Sequence, residues 1–134
     1  LAASPLAFVH PLHVQGHSME PTLKDGELRL MLRGWCAGDP GRGELWVVKG
    51  PEGEAVKRVI GVPGETLKLK EGEVWNGNRV LVEPYVQKGN REAGGPWELG
   101  KGYFVMGDNR PASQDSRAWG PMPREAFEGR LLQF

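Results

Sequence analysis

The chain has 134 residues, and its 17 basic and 17 acidic side chains cancel to a formal net charge of zero. One domain of that length buries about 65–70% of the surface its unfolded form exposes, so neither a disulfide nor a structural metal is needed. No basic stripe marks a nucleic-acid partner, and the single cysteine, Cys36, has no second thiol for a disulfide or a metal site.

The opening stretch, residues 1 to 9, is mildly apolar and is broken by Pro5. It reads either as an ordinary lead-in or as the remainder of a longer apolar segment. No run of about 18 apolar residues occurs in the chain, so no stretch of it reads as a membrane-spanning helix. Glycine (20) and proline (11) recur throughout, which predicts short strands joined by turns. Val9 to Gln15 reads as a first strand, and Glu27 to Leu32 as a second, after the turn signal Lys24-Asp25-Gly26. Leu45 to Lys49 and Ala55 to Val62 follow, the latter ending at Pro63-Gly64. Thr66 to Lys70 alternates, turns at Glu71-Gly72, continues through Val74-Trp75 and turns again at Asn76-Gly77 into Arg79 to Val82. Asn-Gly between apolar runs is a hairpin signal. A loop is expected around Gly94-Gly95-Pro96, then a strand from Gly102 to Met106, and a brief helix only within Pro123 to Gly129. The sum is an all-β chain, either a small coiled antiparallel barrel or paired sheets of short strands, in a single domain over residues 1–134.

Three blocks carry candidate chemistry. Residues 16 to 23, Gly-His-Ser-Met-Glu-Pro-Thr-Leu, hold Ser18 in a turn. A serine there serves equally well as a cap or turn residue, and as a nucleophile it needs a base. Lys57 lies between Val56 and Arg58-Val59-Ile60. Most strand lysines point to water, but one buried among apolar groups has its pKa pulled down from about 10.4 toward neutrality and can act as that base. The third block runs from Gly107-Asp108-Asn109-Arg110 to Ser113-Gln114-Asp115-Ser116-Arg117, a composition that a polar loop closing a sheet also requires. His10, His13 and His17 stand in no block resembling a triad, and His17 is too close in sequence to Ser18 to reach its hydroxyl in useful geometry.

These blocks, in this order, resemble the type I signal peptidases, membrane-bound Ser/Lys proteases that remove secretory signal peptides. The resemblance implies a small β catalytic core with Ser18 as nucleophile and Lys57 as general base, the two within hydrogen-bond reach of about 2.6–3.2 Å. It implies that Ser113 orients the lysine amine, that Asp108 and Arg117 pair as a bracing salt bridge, and that Asp115 belongs to the supporting polar network. Gly16 stands where many relatives have a serine whose hydroxyl donates to the oxyanion, so a second donor besides the Ser18 N–H is not identified. Leu12, Val14, Met19, Leu23 and Val56 match the lining of shallow pockets for the small residues of an Ala-X-Ala-like cleavage site. No metal or cofactor is implied. The partners implied are secretory preproteins, with no nucleic acid. The setting implied is the outer side of a bacterial cytoplasmic membrane, reached by an N-terminal anchor of which residues 1–8 are the stub. Two other readings remain: a self-cleaving repressor-type Ser/Lys protease, and a non-catalytic β module that binds extended peptides.

Overall fold

Alternation of apolar and polar residues builds two antiparallel sheets, seen in a computed structural model that describes residues 8 to 133. The proposed stub at residues 1–8 therefore lies, but for Phe8, outside the described residues. The larger sheet has the order β1-β2-β10-β3-β4-β9, formed by β1 (Val9–His13), β2 (Leu28–Arg33), β3 (Leu45–Gly50), β4 (Gly53–Gly61), β9 (Phe104–Met106) and β10 (Phe127–Leu131). The smaller one, β7-β6-β5-β8, comprises β5 (Thr66–Lys70), β6 (Glu73–Asn76), β7 (Arg79–Val80) and β8 (Gly94–Glu98). Of the two expected architectures, paired sheets are the one formed.

The two sheets share apolar contacts. Ile60, Phe104 and Met106 of the larger sheet pack with Leu67, Leu69 and Val74 of the smaller. A second cluster, built on Trp46, Val48, Val59 and Phe127, fills one face of the larger sheet, and a third, around Leu23, Leu45, Val47 and Leu131, fills the other. Trp46 is fully buried, whereas Trp35 is 71% exposed, so the tryptophans do not share one environment.

Three local expectations change. Pro123 to Gly129 holds only a 3-10 turn at Arg124–Ala126, after which the chain enters β10, a central strand between β2 and β3. The period-two burial of Phe127, Gly129 and Leu131 decides this, because a strand places exactly alternate residues on one face. The Gly94-Gly95-Pro96 loop is instead β8, where Pro96 is tolerated because the strand lies at a sheet edge. A single helical turn, α1 (Ser116–Trp119), is capped by Asp115, whose side chain accepts from the Arg117 N–H.

One consequence of register positions everything that follows. β3 pairs with β4 from Gly53 to Arg58, but β9 covers the opposite side of β4 only from Arg58 to Gly61. The stretch Glu54 to Lys57 therefore has an edge without a strand partner, as does β1 at the end of the sheet.

Candidate functional site

Ser18 sits in the turn joining β1 to β2. Met19 and Leu23, 1% and 0% exposed, pin that turn to the core, and the Leu23 N–H donates to the Met19 carbonyl at 3.0 Å. Gly16 takes a φ of +85°, a conformation that strains any residue with a Cβ, and its N–H donates to Asp25 Oδ1 at 2.8 Å. The turn is stitched to the third block: the Asn109 N–H donates to the Ser18 carbonyl at 2.9 Å, and Asn109 Nδ2 to the His17 carbonyl at 3.0 Å. The His17 ring turns to the Glu20 carboxylate within the same turn and remains exposed.

Lys57 lies opposite Trp46 on β3 and is only 3% exposed. Its Nζ donates to Ser113 Oγ at 3.1 Å, and that hydroxyl donates to Asp115 Oδ2 at 2.7 Å. Asp115 also accepts from the Gly107 N–H at 2.9 Å and from Arg117 Nε and Nη2 at 2.8 and 2.9 Å. Burial pushes the Lys57 pKa below that of an ordinary lysine; the Asp115 charge opposes the fall and the Arg117 charge adds to it. Burial alone would raise the Asp115 pKa, but the hydrogen bonds and charge of Arg117, with help from Gly107 and Ser113, hold it below the usual carboxylate range. The result is an ammonium disfavoured by its surroundings, next to a carboxylate locked in its ionised form.

Among the described residues, no hydrogen bond joins Ser18 Oγ to Lys57 Nζ; the amine's bond goes to Ser113. The expected direct hydrogen bond is thus not among those formed. The two blocks nonetheless meet at Gly107. A methyl group there would lie 2.2 Å from Ser113 Oγ and 2.7 Å from the Ser18 carbonyl oxygen. Gly107→Ala should therefore destabilise the fold by ~1–3 kcal/mol through forced displacement of that loop, measured as a lower midpoint in urea unfolding. An unchanged midpoint would show that the loop yields without cost.

The expected Asp108–Arg117 salt bridge is not formed; each of the two residues pairs elsewhere. Asp108, 1% exposed, takes a bidentate pair from Arg58 at 2.9 and 2.8 Å and a third bond from Thr22 Oγ1 at 2.6 Å. Arg117 pairs with Asp115 and Glu92. Register explains the exchange: Met106 on β9 pairs with Arg58 on β4, so the chain leaving β9 delivers Asp108 to that guanidinium. Arg117 follows its own helix cap, Asp115, by two residues.

Arg58, Arg110, Glu83 and Tyr85 also surround the site, and the sequence reading gives none of them a role. Arg110 Nε donates to the Gly107 carbonyl at 2.9 Å while its other nitrogens reach Glu83 at 3.3 and 2.7 Å. Tyr85 lies 3.9 Å from the Arg58 guanidinium, face on. Adjacency to Lys57 was a signal for Arg58, but no spacing announces Glu83 or Tyr85.

Between the free edges of β1 and β4 runs a groove with a cavity of about 220 Å³. Leu12, Met31, Val47 and Val56 give it an apolar floor, and His10, His13, Gln15 and Glu54 a polar rim. Of the pocket residues matched by resemblance, Leu12 and Val56 line this cavity. Val14, Met19 and Leu23 lie in the core cluster against which Leu12 packs.

Comparison with known proteins gives a consistent result. The model of a family described as signal peptidase, peptidase S26, matches residues 2–133. Signal peptidase I T of Bacillus subtilis strain 168 is 40% identical over 122 residues, which are 80% of this chain and 63% of that protein. Signal peptidase I U of the same organism is 37% identical over 135 residues, 90% of this chain and 71% of the relative. The chain thus spans somewhat under two thirds of the length of the first of these relatives. A crystal structure of a signal peptidase I from Enterococcus faecalis V583 matches with a TM-score of 0.58 at 29% identity, covering 69% of this chain and 97% of that one.

Proposed function

Because the chain belongs to the signal peptidase family, peptidase S26, we propose that it acts as a serine endopeptidase that removes N-terminal signal peptides from secreted preproteins after Ala-X-Ala-like sites. The observation that carries this reading is the buried amine of Lys57, its pKa lowered by desolvation and its Nζ oriented by Ser113.

In this mechanism neutral Lys57 takes the Ser18 proton as Oγ bonds to the scissile carbonyl carbon. The ammonium then returns that proton to the departing amine, which leaves as the new N-terminus of the mature protein. Water, deprotonated by the same amine, hydrolyses the acyl-enzyme and frees Ser18. Ser113 fixes the amine's position, and Asp115 stabilises the ammonium while it exists. The Ser18 N–H makes no hydrogen bond among the described residues and is available to the oxyanion. Gly16 has no side chain to supply the second donor, and its positive φ disfavours a serine there. A signal peptide would lie extended in the groove and hydrogen-bond to the free edges of β1 and β4. Leu12 and Val56 would wall the pocket for the small residue before the scissile bond, with Val14, Met19 and Leu23 backing it. Asp108, through Arg58 and Thr22, would brace the Ser18 turn, and Arg117 would hold Asp115. The enzyme would work on the outer side of a bacterial cytoplasmic membrane, held by an N-terminal anchor; no helix of the described residues is long and apolar enough to cross one.

Incubation with a preprotein carrying an Ala-X-Ala site, with the new N-terminus read by mass spectrometry, tests the proposal. Cleavage after the second alanine is expected, with a loss of at least ~100-fold when that alanine is leucine. Val56→Ala should narrow the gap. Binding without turnover would favour the peptide-binding module, and cleavage confined to the protein's own chain the self-cleaving protease.

A further inference from the structure

The segment joining β7 to β8, residues 81 to 93, is clipped to the smaller sheet near both ends. The Leu81 N–H donates to the Val74 carbonyl at 2.8 Å, and the Gly72 N–H to the Glu92 carbonyl at 2.9 Å. Between those clips the segment reaches the third block through Glu83 and Tyr85. Glu83, its side chain 8% exposed, accepts from Arg110 Nη1 and Nη2 and, at 3.1 Å, from the Tyr85 hydroxyl. Burial, with the neighbouring Glu83 charge, pushes the Tyr85 pKa up, so that hydroxyl keeps its proton and stays a donor. A single carboxylate thus holds two side chains that lead to opposite halves of the site.

One path runs to Lys57. Arg110, its side chain 1% exposed, places Nε on the Gly107 carbonyl. The peptide N–H on the other side of Gly107 donates to Ser113 Oγ at 3.1 Å and to Asp115 Oδ2 at 2.9 Å, and Ser113 accepts from Lys57 Nζ. The other path runs to Ser18. The Tyr85 ring faces the Arg58 guanidinium, Arg58 holds Asp108, and Asp108 accepts from Thr22 in the Ser18 turn. Without a carboxylate partner a buried guanidinium turns toward water, because an unpaired buried charge costs more than one bond to a carbonyl returns. Arg110 would then release Gly107.

We infer that Glu83 is a positioning residue which, through Arg110 and Tyr85, holds the peptide at Gly107 and the Arg58–Asp108 brace so that Ser18 and Lys57 meet in reacting geometry. This rests on the proposed signal-peptide cleavage. Glu83 acts at a distance from the substrate, since no residue of its segment lines the groove between β1 and β4. Its loss therefore falls on the chemical step and leaves peptide binding largely intact.

The test measures kcat and KM separately on a peptide with an Ala-X-Ala site, at a temperature where circular dichroism shows each variant folded. Glu83→Gln should lower kcat by at least about tenfold with KM within about twofold of the parent's, since a misplacement on the order of 1 Å costs about 100-fold. Arg110→Lys keeps the buried charge pair, and with it the fold, but cannot reach Glu83 and the Gly107 carbonyl at once. It should show the same split. In the double variant the two losses should not multiply, because both changes break one path. Phe127→Leu, in a core cluster that contains none of these residues, should melt lower than the parent yet keep its kcat, as a change acting on stability alone does. A folded Glu83→Gln or Arg110→Lys protein with the parent's kcat overturns the inference while the protease reading stands, and so do losses that multiply. Failure of the parent to cleave the peptide overturns both.

Discussion

Lys57→Met should reduce preprotein cleavage by a factor of roughly 10³ or more, and at the same time raise the melting temperature below neutral pH. The loss follows from the role of the amine, since without a base the Ser18 hydroxyl keeps its proton, and members of such a unit fail together. The gain follows from burial. The amine's pKa is below its unfolded value near 10.4, chiefly through desolvation, so between the two values the unfolded chain binds more protons than the folded one. Stability then rises with pH across that window, and the cost of burying Lys57 is fully present below the folded value. Methionine, of similar length and uncharged, removes that cost. Its advantage should be greatest near pH 6 and fade above pH ~10.4, where the parent's amine is neutral in both states. Thermal melts of both proteins at the two pH values, compared as differences, isolate the effect. A variant that melts below the parent at both would mean that the Asp115 attraction outweighs desolvation. In parallel, the parent's kcat/KM should climb with pH as Lys57 loses its proton, and no ordinary lysine would titrate that early.

Local pattern made most of the strands legible before any coordinates. Thr66 to Lys70 alternates apolar and charged residues, and the strand shows that alternation as burial at Leu67 and Leu69. Asn76-Gly77 turns the chain between β6 and β7 as its dipeptide signals. β10 escaped because its buried positions, Phe127, Gly129 and Leu131, include a glycine, which carries no hydrophobic signal. Only the space left by Met31 explains it, since a methyl on Gly129 would fall 2.5 Å from that sulfur. The site divides the same way. Ser18, Lys57 and Ser113 sit in short blocks and could be named. Ionic pairing could not be, because Asp108 meets Arg58 across 50 positions of sequence, through a strand register that no local pattern encodes.

That pairing has the largest expected consequence for stability. Asp108→Ala should cost ~3–5 kcal/mol, because it leaves the Arg58 guanidinium, 11% exposed, with only the Gly43 carbonyl and the face of Tyr85. For a domain of this size such a loss lowers the melting temperature by roughly 10–20 °C. Thr22 loses its acceptor as well, which loosens the turn that presents Ser18. Replacing both partners with apolar residues, Arg58→Met with Asp108→Leu, should recover much of the loss, since neither variant side chain leaves a charge stranded. A double-mutant cycle separates the partners. Coupling between Asp108 and Arg58 should exceed ~2 kcal/mol, because each single change breaks the same two hydrogen bonds. Coupling between Asp108 and Arg117 should stay within ~0.5 kcal/mol, because Arg117 spends its donors on Asp115, Glu92 and two carbonyls and shares no partner with Asp108. If the Arg117 cycle gave the larger coupling, Asp108 and Arg117 would be acting as one bridge in solution, and the brace beneath the Ser18 turn would have to be redrawn around that pair.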